Sequence, residues 1–322
     1  MKTKNIEPSI MVSGDNSYGQ LWCKKETQVT AKFIKATSFP FESKISRISH
    51  VSAWNQSIAF VFDDFKVIFR PEDGQIHEFS TGTLRQICCL EDNVITLQYD
   101  GKVYNYLEKN FYQQEGISQI AASNNYILGL NNSGVVYLFG AVNEPAKEIE
   151  KDATAICCTG DEVFIIKSNR IIVWTKEDSK SFETSTKIIA GYGSETEALF
   201  IDTDGNLWHY DSDALLQVFG LPPVVFAAVG IQHYAAISYD GSLYTWGFNP
   251  SAQLGIGSDK PSNDPYHVLE GTRIVACGTH HTLAICGGAP EIPEGFNNSV
   301  MIKSAKLHPN QKSVISRAEL LY

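Results

Sequence analysis

The chain has 322 residues, enough to bury one large core or two ordinary ones. Hydrophobic residues make up 43% and charged residues 19%, a composition that excludes a disordered chain. The formal net charge of −10 argues against direct binding to nucleic acid, which needs clustered Lys and Arg to displace counterions from the backbone.

The first residues, MKTKNIEPSIMVSGDN, hold no apolar stretch of signal-peptide length. No window reaches the roughly 18 consecutive apolar residues that span a bilayer, so no membrane partner is expected. Basic residues run no longer than pairs such as Lys24-Lys25, which leaves no legible nuclear-import segment. Seven cysteines, an odd number without a C-x-x-C pair, fit reduced thiols better than a disulfide framework. The expected location is the cytoplasm, with the nucleus as a further compartment.

From residue 45 the chain repeats itself. Copies run over 45–62, 84–107, 117–140, 153–175, 187–210, 224–247 and 272–285. The sixth is the clearest, VVFAAVGIQHYAAISYDGSLYTWG. It reads as an apolar strand, a Gly, two variable residues and a His, a second apolar strand, an Asp-Gly turn and a third strand. The strands are short and rich in Ile, Val, Tyr and Phe, which suits sheets covered on both faces. Asp100-Gly101, Asp204-Gly205 and Asp240-Gly241 supply the positive φ that tight hairpins need. Ser133-Gly134 and Asn169-Arg170 hold the same place with weaker turn chemistry.

One copy alone could not cover its faces, whereas a ring of them buries apolar layers between neighbours. The predicted fold is therefore all-β, a seven-bladed β-propeller over residues 1–286. The last copy stops at Ile285 without its third strand, and the N-terminal SIMVSGDNSYGQLW (residues 9–22) matches the end of a repeat. That segment is expected to complete the last blade and close the ring. Residues 287–322 form a tail, with GGAPEIPEGFNN as linker. In QKSVISRAELLY, Val314, Ala318 and Leu321 fall on one side of a short amphipathic helix.

The segment Leu243–Leu269 resembles the signature of the regulator-of-chromosome-condensation repeat family. The resemblance rests on Trp246, Gly247, Asn249, Gln253, Leu254, Gly255, Gly257 and Pro265, with Ala276, Cys277, Gly278, His281 and Thr282 as the companion motif. GDNSYGQLW is a partial further match, and the middle copies keep the period but few signature glycines. The resemblance implies a seven-bladed propeller. It implies function only loosely, because the family includes a guanine-nucleotide exchange factor for the GTPase Ran, ubiquitin-ligase parts and plain interaction modules. Exchange resembles wedge insertion by a protruding loop, and only the segments near 24–44, 63–83 and 248–271 offer room for one.

Residues that could carry chemistry have bland explanations. His233 and His281 recur three residues after Gly230 and Gly278, as a structural group in a tight connection would. Cys88-Cys89 and Cys157-Cys158 are adjacent pairs, poor zinc spacing, and occupy positions where other copies have alanine. No metal or cofactor is expected. GFNPSAQLGIG lacks the Gly-Lys-Ser/Thr ending of a phosphate-binding loop, and no nucleophile–base set is legible. A non-enzymatic binding platform for another protein is the leading expectation, with regulation of a small GTPase as the alternative.

Strand direction places the partner face. The chain runs up to the G-x-x-H loop, down to the Asp-Gly turn and up again to W-G-x-N, so both kinds of loop share one face. Its candidate contact residues are Trp54, Asn55, Glu91, Asp92, Asn124, Asp161, Glu162, Glu195, Gln232 and His280. Several are carboxylates, which would steer a partner with a basic surface.

Overall fold

Strands this short cannot stand alone, and the chain solves the problem by repetition. The structure is a computed structural model that describes residues 6–17, 19–23, 29–80, 82–211 and 214–296. It contains seven antiparallel sheets of four strands each, arranged as the blades of a propeller. In chain order, the first strands of the blades are Ile48–Trp54, Leu84–Cys89, Ile117–Ala122, Ala155–Cys158, Ile188–Gly193, Val224–Val229 and Thr272–Cys277. These stand innermost and line a central channel of about 500 Å³. Second strands are the most buried; all six residues of Ser57–Phe62 and all five of Val94–Gln98 are buried.

The hydrophobic core is distributed between neighbouring blades. Phe164 of blade 4 meets Phe200 of blade 5 edge-on at 5.4 Å between ring centroids. Val61 and Phe69 of blade 1 pack with Ile87 and Val94 of blade 2. Two glutamines reach across the channel wall to the next blade's backbone. Gln86 Nε2 donates to the Ile120 carbonyl at 2.7 Å, and its Oε1 accepts from the Ile120 N–H at 2.9 Å. Gln119 does the same at Ile156.

Ring closure is more extensive than the sequence indicates. The N-terminus supplies two strands of blade 7, Ser9–Asp15 and Val29–Lys35, outside Thr272–Cys277 and His281–Cys286. Met11 pairs with Ala284 on one side and Lys35 on the other. Blade 6 reinforces the seam: the Gly257 N–H donates to the Ala31 carbonyl at 2.7 Å, and Lys32 bridges Ile256.

The room left by the sequence near residues 63–83 is filled by the last two strands of blade 1, Lys66–Arg70 and His77–Ser80. The turn before them was hidden because Phe65, at φ 61°, takes the left-handed place that glycine holds elsewhere. Its N–H bonds the Phe62 carbonyl as the Gly241 N–H bonds that of Ser238. Likewise Val29–Lys35 and Ser262–Leu269 are strands within the other two stretches that looked free. Fourth strands such as Lys147–Glu150 and Ser179–Glu183 are polar and exposed, and so carry little apolar signal.

Past Cys286, residues 287–296 lie against the propeller, with Phe296 buried. The amphipathic segment 311–322 lies outside the described residues.

Candidate functional site

The loops between first and second strands share one geometry. In blades 2 to 7 the N–H of one residue donates to the carbonyl three residues on: Leu90 to Asn93, Ser123 to Tyr126, Thr159 to Glu162, Ser194 to Glu197, Gly230 to His233 and Gly278 to His281. G-x-x-H is therefore one version of a closed turn that other blades build from other side chains. The glycine is steric in origin: a Cβ on Gly230 would strike the His233 ring, and one on Gly278 the His281 ring. Both imidazoles are fully buried. Burial pulls the His233 pKa down to about 4, and burial together with the neighbouring His233 pulls that of His281 to about 3. His233 Nε2 lies 3.2 Å from Thr282 Oγ1, which ties blade 6 to blade 7. These are neutral framework groups.

The W-G-x-N loop joins the same face. The Phe248 N–H donates to the Gln232 carbonyl at 2.7 Å. Asn249 organises the loop from inside, with Nδ2 donating to the Ser258 and Lys260 carbonyls and Oδ1 accepting from the Leu254 N–H. Asn16 repeats the last bond at Leu21. Gln253 is fully buried, and its carbonyl accepts from Ser13 and Thr282. Trp246 is 5% exposed and stacks on Tyr234, and Gly255 passes against Phe33. Gly247 and Gly257 have positive φ.

Of the residues expected at the rim, Asp92, Asn124, Asp161, Glu195 and Gln232 are exposed, while Asn55, Glu91, Glu162 and His280 are partly so. Trp54 departs from the expectation. It is 8% exposed and packs between blades 1 and 2, since it stands at the framework position that Gly230 holds in blade 6. Glu162 occupies the position of His233.

Hydrogen bonds link successive loops around much of the rim. The Thr279 N–H donates to the Asn55 carbonyl at 2.9 Å, and Ser57 Oγ donates to that of Glu91. Asn124 reaches Glu91 Oε2 at 3.4 Å, Asn125 donates to the Gly160 carbonyl at 2.7 Å, and the Gly160 N–H to that of Glu195 at 2.8 Å. Asn125 was not foreseen; its place beside Asn124 in a variable loop was the signal. In the loops between first and second strands the carboxylates fall on blades 2, 4 and 5, whereas blades 6, 7 and 1 present Ile231, Gln232, His280 and Asn55; the outer loops of the same face add Asp73 on blade 1 and Asp259 with Lys260 on blade 6. The rim is thus a rigid ring with one acidic arc.

The cysteines of the inner strands are free thiols. Burial pushes Cys88 up to about 12 and holds Cys89 and Cys157 well above the usual thiol range. Among the described residues no group of three or more His, Cys, Asp or Glu is arranged to hold a metal ion.

Residues 240–285 match the family described as Regulator of chromosome condensation (RCC1) repeat. The chain is 42% identical over 74 residues to human E3 ubiquitin-protein ligase HERC2, covering 21% of this chain and 2% of that one. It is 34% identical over 74 residues to the Ultraviolet-B receptor UVR8 of Arabidopsis thaliana, covering 22% of this chain and 17% of that one. The chain therefore spans a small share of these relatives' length. Among solved structures, Prp20p of Saccharomyces cerevisiae matches with a TM-score of 0.72 at 13% identity, over 94% of this chain and 95% of that one. Human WBSCR16 matches with a TM-score of 0.70 at 14% identity, over 88% and 100%. At such identities the likeness is one of fold.

Proposed function

We propose that this chain, a degenerate seven-bladed propeller of the regulator-of-chromosome-condensation repeat family, is a binding platform without covalent chemistry. It recognises the basic surface of another protein in a cytoplasmic complex. The observation that carries the reading is the acidic arc, Glu91, Asp92, Asp161 and Glu195, on loops already fixed by hydrogen bonds to their neighbours. A fixed arc needs little ordering on binding, and carboxylates of one sign raise the encounter rate of a cationic partner.

A second reading is regulation of a small GTPase. It is favoured by the likeness to Prp20p, whose structure was described together with its binding to Gsp1p and histones. Against wedge insertion by residues 248–261 stands the anchoring of that loop by Asn249 and by the strand Val29–Lys35.

Affinity capture from the source cells, with EDTA or with excess GTP and magnesium, separates the readings. The platform predicts a partner set indifferent to nucleotide and lost from the Asp92→Lys/Asp161→Lys/Glu195→Lys variant. A small GTPase enriched only when nucleotide is stripped would overturn it in favour of exchange.

A further inference from the structure

The opposite mouth of the channel, on the Asp-Gly face, has two unlike sides. The second residues of the first strands stand there. In blades 7 and 1 these are Arg273 and Ser49, with His50 next to Ser49. In blades 5 and 6 they are Ile189 and Val225. One side is cationic, the other apolar.

Residues 287–296 cross this mouth and match both sides. The Gly287 N–H donates to the Gly271 carbonyl at 2.8 Å, and Gly288 passes against the Arg273 side chain. Glu291 lines the channel with Arg273 and His50. Its charge acts on both groups, opposing the burial that holds the His50 pKa down. Phe296, 7% exposed, packs on Val225, Tyr239 and Ile189. Gly205 makes the space, since a Cβ there would lie 3.0 Å from the Phe296 ring. Between these points the segment is loosely held: Ala289, Glu291, Ile292 and Glu294 are exposed. The segment is thus anchored at Gly287 and at Phe296, and between them it sets the Glu291 carboxylate on the channel lining with Arg273 and His50.

We propose that this mouth is a peptide-binding site for an acidic-aromatic segment, occupied in the isolated chain by its own residues 287–296. Arg273, with His50 beside it, receives the carboxylate. The Ile189–Val225–Tyr239 hollow receives an aromatic ring five residues further on, as Glu291 and Phe296 are spaced. A partner bearing the same pattern binds by displacing the strap. The site lies on the face opposite the acidic rim, so it stands or falls independently of the platform reading.

The test is fluorescence polarisation of a labelled peptide, GGAPEIPEGF, against the full-length chain and its variants. The native chain should bind weakly, because its own strap competes. Phe296→Ala and Glu291→Lys should each release the strap and tighten binding at least tenfold. Adding Arg273→Glu to either should remove the gain. The exposed Glu291 keeps the test decisive if Phe296→Ala fails to fold by circular dichroism, and Arg273→Gln replaces Arg273→Glu if that variant does not fold. Folded release variants that bind no tighter than the native chain, or a gain that survives replacement of Arg273, would overturn the proposal.

Discussion

On the Asp-Gly face, cations and carboxylates come together: Arg47 Nε with Asp63 at 2.6 Å, Lys167 with Glu150 at 3.1 Å, Lys102 with Asp100 at 3.6 Å and Lys44 with Asp64 at 3.7 Å. On the G-x-x-H face, Asp92, Asp161 and Glu195 stand exposed with no lysine or arginine bridged to them among the described residues. The loops that bear them use their hydrogen bonds on one another instead. The two faces come from one repeat, so the backbone does not dictate the difference. Pairing cancels the field of the first face at short range, and its absence leaves the second with a field that reaches about a Debye length, roughly 8 Å at physiological salt. Charge arrangement thus distinguishes the faces where topology does not.

Acid should separate them most strongly. His233 and His281 stay neutral in the folded chain to about pH 4 and 3, but take up protons near pH 6.5 once the chain unfolds. The unfolded state then binds more protons, so stability falls as pH drops from 6.5 toward 4, by an amount on the order of several kcal/mol. Thermal melting across that range should show the loss, and His233→Gln should flatten it. An unchanged slope in that variant would mean that His233 is not one of the acid-sensitive groups.

Glycine substitutions sharpen the contrast at smaller cost. Gly230→Ala forces a Cβ into the His233 ring and should destabilise by about 3 kcal/mol in urea titration. Gly241→Ala, on the Asp-Gly face, meets nothing closer than 3.4 Å and strains only its left-handed backbone, φ 84°. It should cost roughly 1 kcal/mol. Smallest of all, Lys167→Met breaks an ion pair whose side chains are 16% and 31% exposed. Its loss in the same titration should stay below about 1 kcal/mol.

Seven blades, ring closure and the sharing of one face by two loop types were legible because Asp-Gly turns and apolar strands recur at a steady period. What escaped was written in residues that break the pattern. Phe65 replaces the turn glycine of blade 1, and strands such as Lys147–Glu150 offer charge where the eye seeks apolar alternation. At the rim, sequence spacing placed Trp54 outward with Asn55, but only the packing of blade 2 against it shows that it turns inward. The linker reading of GGAPEIPEGFNN, residues 287–298, followed from Pro and Gly. It could not reveal that Phe296 finds a hollow made by Val225 and Tyr239, which are far from it in sequence.

The rim claim is tested most directly by stopped-flow association with a fluorescent lysine-rich peptide at about 20 mM and 150 mM salt, spanning the range over which screening acts. Three proteins are compared: the native chain, Asp92→Lys/Asp161→Lys/Glu195→Lys, and a matched reversal on the other face, Asp63→Lys/Asp100→Lys/Glu150→Lys. The rim reversal should slow association at least tenfold at low salt, while the matched reversal changes it less than threefold. Equal slowing by both variants would show that net charge alone attracts the peptide, and would contradict the assignment of one face as the binding surface.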